Sequence, residues 1–87
     1  MNKIDLKEKV AIVTGGVQGF GLAVVERFLN SGANVVIWEN DKKLLDEFKT
    51  INDIHKIQTD VSKSDSVEAA VSETVKKFGT IDILVNN

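Results

Sequence analysis

Three glycines at positions 15, 19 and 21, within the run Thr14-Gly15-Gly16-Val17-Gln18-Gly19-Phe20-Gly21, are the residues of this chain best suited to hold a ligand. They follow directly on the apolar run Val10-Ala11-Ile12-Val13, so the segment reads as a strand, a glycine turn and a helix start. Glycine lets the backbone turn through conformations closed to other residues and approach a ligand with no Cβ in the way. The N–H groups in the first turn of the helix have no partner within it. Together with the positive end of the helix dipole they attract a pyrophosphate. Such an anion site needs no charged side chain, and none occurs from Val10 through Val25. The chemistry is then phosphate binding by Gly15, Gly19, Gly21 and the N–H groups around Gln18 and Phe20.

A second group able to do chemistry lies eighteen residues past Gly21, where Glu39 follows the apolar run Asn34-Val35-Val36-Ile37-Trp38. The intervening residues Leu22 to Asn30 read as helix, stopped by Ser31-Gly32. An acid at the tip of the second strand is placed to accept hydrogen bonds from the hydroxyls of a nucleotide ribose. The glycine spacing, G-x-x-x-G-x-G, differs from the G-x-G-x-x-G of the common dinucleotide fingerprint. The strand before, the helix after and the acid beyond are all present. The plain alternatives are a packing turn without ligand and a solvated carboxylate. Asp60 and Val61, after Ile57-Gln58-Thr59, would flank an adenine, or the Asp would only stabilise the turn before a helix.

On these residues the chain resembles the short-chain dehydrogenase/reductase family over essentially its whole length. Thr14 to Gly21 matches the family's T-G-x-x-x-G-x-G cofactor motif. Asp60-Val61 is similar to its Asp-Val pair beside the adenine, and Ile81-Asp82-Ile83-Leu84-Val85-Asn86-Asn87 to its fourth strand entering N-N-A-G. The resemblance implies an oxidoreductase that takes NAD or NADP, with Asn87 at the cofactor and Asn86 joining the sheet. The family's chemistry is carried by a Ser, a further Asn and a Tyr-x-x-x-Lys motif. This sequence contains no tyrosine, so no catalytic residue is assigned and no turnover is expected from these 87 residues alone. Glu39 would oppose a 2′-phosphate, and Gln18 and Asn40 stand where NADP-preferring relatives often carry a basic residue, which favours NAD over NADP.

The elements that must position these groups alternate strand and helix, the pattern of a parallel sheet with helical crossovers. The expected fold is α/β, a Rossmann-like doubly wound parallel sheet. Right-handed crossovers give a strand order 3-2-1-4, which places Thr14, Glu39, Asp60 and Asn86 on one rim beside the switch point between strands one and four. The spacing predicts a second helix capped by Asn40 with Leu44, Leu45, Phe48 and Ile51 on one face, and Lys42, Lys43, Glu47 and Lys49 in water. A third helix is predicted from a capping box at Ser62-Lys63-Ser64-Asp65, with Val67, Ala70, Val71, Thr74, Val75 and Phe78 inward and Gly79 as its end. Phe28, Phe48 and Phe78 fall on helix stripes and read as core.

Composition narrows the function classes. With 43% hydrophobic and 28% charged residues the balance is that of a globular protein, and a net charge of −2 argues against nucleic acid or an anionic membrane as partner. No apolar stretch is long enough to span a membrane and the first residues lack the apolar segment of a signal peptide, so a cytoplasmic protein is expected. The absence of cysteine and the single His55 exclude thiol chemistry and a histidine metal cluster; His55 reads as a solvated loop residue. Residues 1–87 are expected to form one NAD-binding half-domain that stops at the fourth strand. Ile83-Leu84-Val85 would then be an uncovered apolar edge prone to self-association. Three readings stay open at this point: the amino-terminal half of an NAD-dependent oxidoreductase, a stand-alone dinucleotide-binding module, and a remnant without function.

Overall fold

Val10–Thr14, the first strand (β1), is buried at all five positions, as expected of a central strand with helices on both faces. A computed structural model describes residues 6–15, 19–48 and 54–87. After β1 come helix α1 (Gly19–Asn30), strand β2 (Asn34–Glu39), helix α2 (Lys42–Glu47), strand β3 (His55–Gln58), helix α3 (Ser64–Phe78) and strand β4 (Ile83–Val85). The four strands form one sheet in the order β3-β2-β1-β4, the order predicted from the sequence, and every pair is parallel. Ile12 lies opposite Val36 on one side and Leu84 on the other, and Trp38 lies opposite Ile57.

Because side chains alternate across a strand, the sheet has two cores. Val13, Val35 and Ile37 face α1 and α2, where they pack with Val25, Leu45, Phe28 and Phe48. Val10, Ile12, Val36 and Trp38 face α3 and pack with Ala70, Val67 and Phe78. This is the doubly wound arrangement; Phe28, Phe48 and Phe78, read as core, pack against the two clusters while staying partly exposed, and Phe48 lies one residue past α2 rather than on its stripe. Val71 and Val75, predicted inward on α3, are 36% and 40% exposed, so only the Val67, Ala70, Thr74 and Phe78 side of that stripe meets the sheet. The indole Nε1 of Trp38 is buried without a hydrogen-bond partner among the described residues.

Several boundaries differ from the sequence reading, each for a local reason. α1 begins at Gly19 rather than Leu22, so two motif glycines lie inside its first turn. α2 is capped by Asp41, not Asn40: the Asp41 carboxylate accepts the N–H groups of Lys43 and Leu44 at 3.0 and 3.2 Å. That helix ends at Glu47, and the predicted contributions of Lys49 and Ile51 lie outside the described residues. The capping box predicted before α3 does not form. Lys63 is the N-cap and makes no side-chain cap bond, because Ser62 turns back to Asp60 instead. Gly79 ends α3 with φ +86, in the left-handed region that glycine favours, and its N–H reaches the Val75 carbonyl at 2.7 Å. His55 is not a solvated loop residue. It opens β3, its ring meets the Phe78 ring edge-on with centroids 6.0 Å apart, and its Nε2 lies 2.7 Å from the Glu73 carboxylate.

Candidate functional site

Parallel pairing brings the carboxyl ends of all four strands to one edge, so whatever follows each strand gathers there. Gly15 leaves β1 with φ +62, and its N–H donates to the Trp38 carbonyl at 2.9 Å. The start of the glycine turn is thereby tied to the end of β2. Thr14, 5% exposed, laces β1 to the far side: its hydroxyl donates to Oδ1 of Asn86 at 3.1 Å and accepts the N–H of Asn87 at 2.9 Å. Nδ2 of Asn87 donates to the Gly15 carbonyl at 3.2 Å. A Cβ on Gly15 would sit 3.7 Å from that same nitrogen, a contact that adds nothing severe to the strain of a positive φ.

Gly19, Phe20 and Gly21 open α1, and no acidic residue stands in its first turn. Gly21, in the first turn of α1, is buried. Gln18, predicted to offer its N–H to phosphate, lies outside the described residues. On the neighbouring strand, Oε2 of the half-buried Glu39 accepts the N–H of Asp41 at 3.1 Å, and its main-chain carbonyl accepts from Thr59 at 2.9 Å. A carboxylate has room for several donors, so that bond leaves capacity for a ribose diol. Asp60 follows Thr59. Its N–H donates to the Ser66 hydroxyl at 2.8 Å, and its carboxylate takes both the hydroxyl and the N–H of Ser62. Those two bonds, helped by the nearby Lys63 ammonium, hold the Asp60 carboxyl below the usual carboxylate range. Val61 is 55% exposed beside it.

The structure thus places Gly15, Gly19, Gly21, Glu39, Asp60, Val61 and Asn87 at or just beyond the carboxyl ends of the strands, as the sequence reading expected. Three participants were not singled out by that reading. Asp41 supplies the N–H that holds Glu39, Gln58 donates to the Asn40 carbonyl at 3.1 Å, and Ser66 accepts from Asp60. Asp41 had a signal, since Asp caps helices as well as Asn does. Gln58 and Ser66 had none, because their partners are distant in the chain or depend on strand register.

The rim fits a dinucleotide: Gly15 in the left-handed region at the end of β1, a helix start free of acids, and a carboxylate at the next strand tip. A doubly wound sheet with those features at its switch point defines a Rossmann-type nucleotide-binding protein. The chain belongs to the short-chain dehydrogenase/reductase family, whose profile, described as short chain dehydrogenase, matches residues 9–87. Relatives include a 3-oxoacyl-[acyl-carrier-protein] reductase of Chlamydia muridarum, 41% identical over all of this chain and 37% of its own length. A 3alpha-hydroxysteroid dehydrogenase of Mediterraneibacter gnavus is 39% identical over 94% of this chain and 36% of its own. Among solved structures, a 3-ketoacyl-(acyl-carrier-protein) reductase from Brucella melitensis complexed with NADH is 40% identical, with a TM-score of 0.84 over 92% of this chain and 34% of that one. A 2-keto-3-deoxy-D-gluconate dehydrogenase from Streptococcus agalactiae has a TM-score of 0.90 at 31% identity over 98% of this chain and 34% of that one. The chain therefore spans just over a third of the length of the curated relatives it matches.

Proposed function

We propose that residues 1–87 are the nucleotide-binding half of an NAD-dependent oxidoreductase of alcohols and ketones, and that the ADP-ribose part of NAD lies along the strand-end rim. The observation that carries this reading is the tie between Gly15 and Trp38, which sets the glycine turn beside Glu39 across one strand pair. The α1 N–H groups, Gly15 and Gly21 would meet the diphosphate, Glu39 the adenosine ribose, and Asp60 and Val61 the adenine. Asn87 acts at the cofactor through Gly15, whose carbonyl its amide already holds. The nicotinamide ring, when bound, supplies the hydride chemistry. Binding at this rim suits a cytosolic protein, and among the described residues no helix is long and apolar enough to cross a membrane.

NAD is preferred over NADP on electrostatic grounds. A 2′-phosphate carrying about −1.5 to −2 charges roughly 4 Å from Glu39 would be opposed by several kcal/mol at a dielectric near 20, before screening. Glu39 is partly solvated, and even a third of that opposition is worth at least about tenfold in affinity. The nearest basic side chain along the chain, Lys42, is paired with Asp46 at 3.1 Å. Titration with both reduced cofactors, read by energy transfer from the single Trp38, tests the preference. NADH is expected to bind at least about tenfold more tightly than NADPH; equal affinities overturn the role given to Glu39.

The same reading takes a second copy of the chain as a partner at the β4 edge. β4 is bonded on the β1 side, and Leu84 on its α3-facing side is 59% exposed. Leu84→Lys is expected to convert an associating species to monomer in sedimentation velocity. A wild-type chain that sediments as monomer at all concentrations removes this partner.

A further inference from the structure

The peptide unit that joins Asn40 to Asp41 is held from both sides. Its carbonyl oxygen accepts a hydrogen bond from Nε2 of Gln58 at 3.1 Å, and its N–H donates to Oε2 of Glu39 at 3.1 Å. Gln58 ends β3 and lies opposite Glu39 at the end of β2, so the strand register that places one side chain places the other. The far end of the unit is anchored as well, since the Asp41 carboxylate caps α2 through Lys43 and Leu44. We propose that Gln58 is a positioning residue for cofactor selection: through the 40–41 peptide it fixes the Glu39 carboxylate in the orientation that receives a ribose diol and rejects a ribose phosphate. This inference rests on the nucleotide reading above.

The physical case has three steps. A glutamate at a half-buried strand end has several rotamers, and binding must first select one, at a cost in conformational entropy. An oxygen already held by a fixed N–H removes part of that cost before the ligand arrives. The N–H can serve only while its peptide plane keeps its orientation, and the plane sits on an exposed corner between a strand and a six-residue helix. Gln58 supplies the hold. Its donation to the Asn40 carbonyl opposes a flip that would turn that oxygen toward the carboxylate. It also polarises the amide, which strengthens the N–H as a donor to a charged acceptor. Gln58 itself never touches the cofactor in this arrangement.

Gln58→Leu removes the donor at similar size, and Gln58→Glu replaces it with an acceptor facing a carbonyl. Gln58 is exposed, so the folded state should persist, which thermal unfolding checks. For each variant, NADH affinity is expected to fall by about fivefold while NADPH affinity changes by less than about twofold, narrowing the selectivity. In a Glu39→Gln background the Gln58→Leu effect on NADH is expected to vanish, the mark of two residues acting through one connection. A ligand-free readout runs beside these: the Asp41 amide proton resonance should move upfield in Gln58→Leu and in Glu39→Gln alike, with the Gly79 amide, bonded to the Val75 carbonyl at the end of α3, as an unmoved reference. An Asp41 amide indifferent to Gln58→Leu, unchanged NADH affinity, or an effect undiminished in the Glu39→Gln background overturns the inference. A wild-type chain that fails to bind NADH while the Asp41 amide responds overturns the nucleotide reading and upholds the tie between Gln58 and Glu39.

Discussion

At the carboxyl ends of the strands, the side chains of Thr14, Glu39, Asp60 and Asn87 bond to nearby main chain or to loop residues, and the carboxylates of Glu39 and Asp60 keep acceptor capacity beyond those bonds. At the amino ends the same kinds of residue close on the protein itself. Asp82 grips Val10 on both sides, accepting its N–H on Oδ2 at 2.9 Å and donating its own N–H to the Val10 carbonyl at 2.9 Å. The N–H of Asn34 goes to the Lys9 carbonyl at 2.8 Å, and His55 meets Glu73. A parallel sheet produces this asymmetry, because its strand ends present carbonyls at one edge and N–H groups at the other. The amino-end N–H of Val10 needs an acceptor and finds a carboxylate within the fold. At the carboxyl end of β1 stands Gly15 instead, and the helix that follows, α1, carries no acidic residue in its first turn. The difference teaches that polar residues of one type serve stability at one end and, on the nucleotide reading proposed above, ligand geometry at the other.

The largest expected effect is at Thr14, whose buried hydroxyl ties the end of β1 to Asn86 and Asn87. Thr14→Val keeps the shape, deletes the hydroxyl and strands Asn86 and the N–H of Asn87. Loss of two partly buried bonds is expected to cost about 1–3 kcal/mol in denaturant unfolding, and NADH affinity should fall with it because Gly15 loses its neighbour's support. If stability falls and binding does not, the division between the ends is sharper than drawn here. Asp82→Ala is the opposite probe: an unpaired Val10 N–H is expected to cost about 1–2 kcal/mol, with NADH affinity unchanged once the chain is folded. A binding defect at constant folded fraction would break the comparison.

The carboxyl-end half of this asymmetry was legible in the sequence. Alternating apolar runs and helical stripes, with handed crossovers, gave the strand order, and the strand order put Thr14, Glu39, Asp60 and Asn86 on one rim. What escaped was the choice between adjacent polar residues of equal propensity. Asn40 and Asp41 both cap well, and the decision falls to Asp41 because the Asn40 carbonyl is drawn to Gln58 on another strand. Ser62 and Asp65 match a capping box, but Asp60 captures Ser62 first. His55 could not be placed from the sequence because its partners, Glu73 and Phe78, lie one helix later and meet it only through the β3 to α3 packing. Local rules read a single segment; each of these outcomes was set by a contact between segments.

A smaller effect is expected at that His55 and Glu73 pair. The glutamate side chain is 53% exposed, and a solvent-screened pair contributes little. Glu73→Gln is expected to change unfolding stability by less than about 1 kcal/mol and to leave NADH binding untouched. A larger loss would mean that the amino end of β3 depends on this pair more than on the Phe78 ring beneath it.

The smallest effect is a titration at the rim. Asp60 is held ionised chiefly by the Ser62 hydroxyl, then by the Ser62 N–H, against an opposing desolvation, with Lys63 adding the weakest attraction. Because its pKa is lowered on folding, the stabilisation it brings is fully present above the ordinary carboxylate pKa and is lost as pH falls through the lowered value. Ser62→Ala removes the largest of these causes, so the Asp60 carboxyl carbon, followed by NMR, is expected to titrate closer to the unperturbed range. Stability near neutral pH should barely change, since the group is exposed, while the acid limb of the stability curve should move slightly to higher pH. An Asp60 titration that stays put in Ser62→Ala would assign the shift to the Ser62 backbone and Lys63, and would make the turn after β3 a main-chain device like Gly15 rather than a side-chain one.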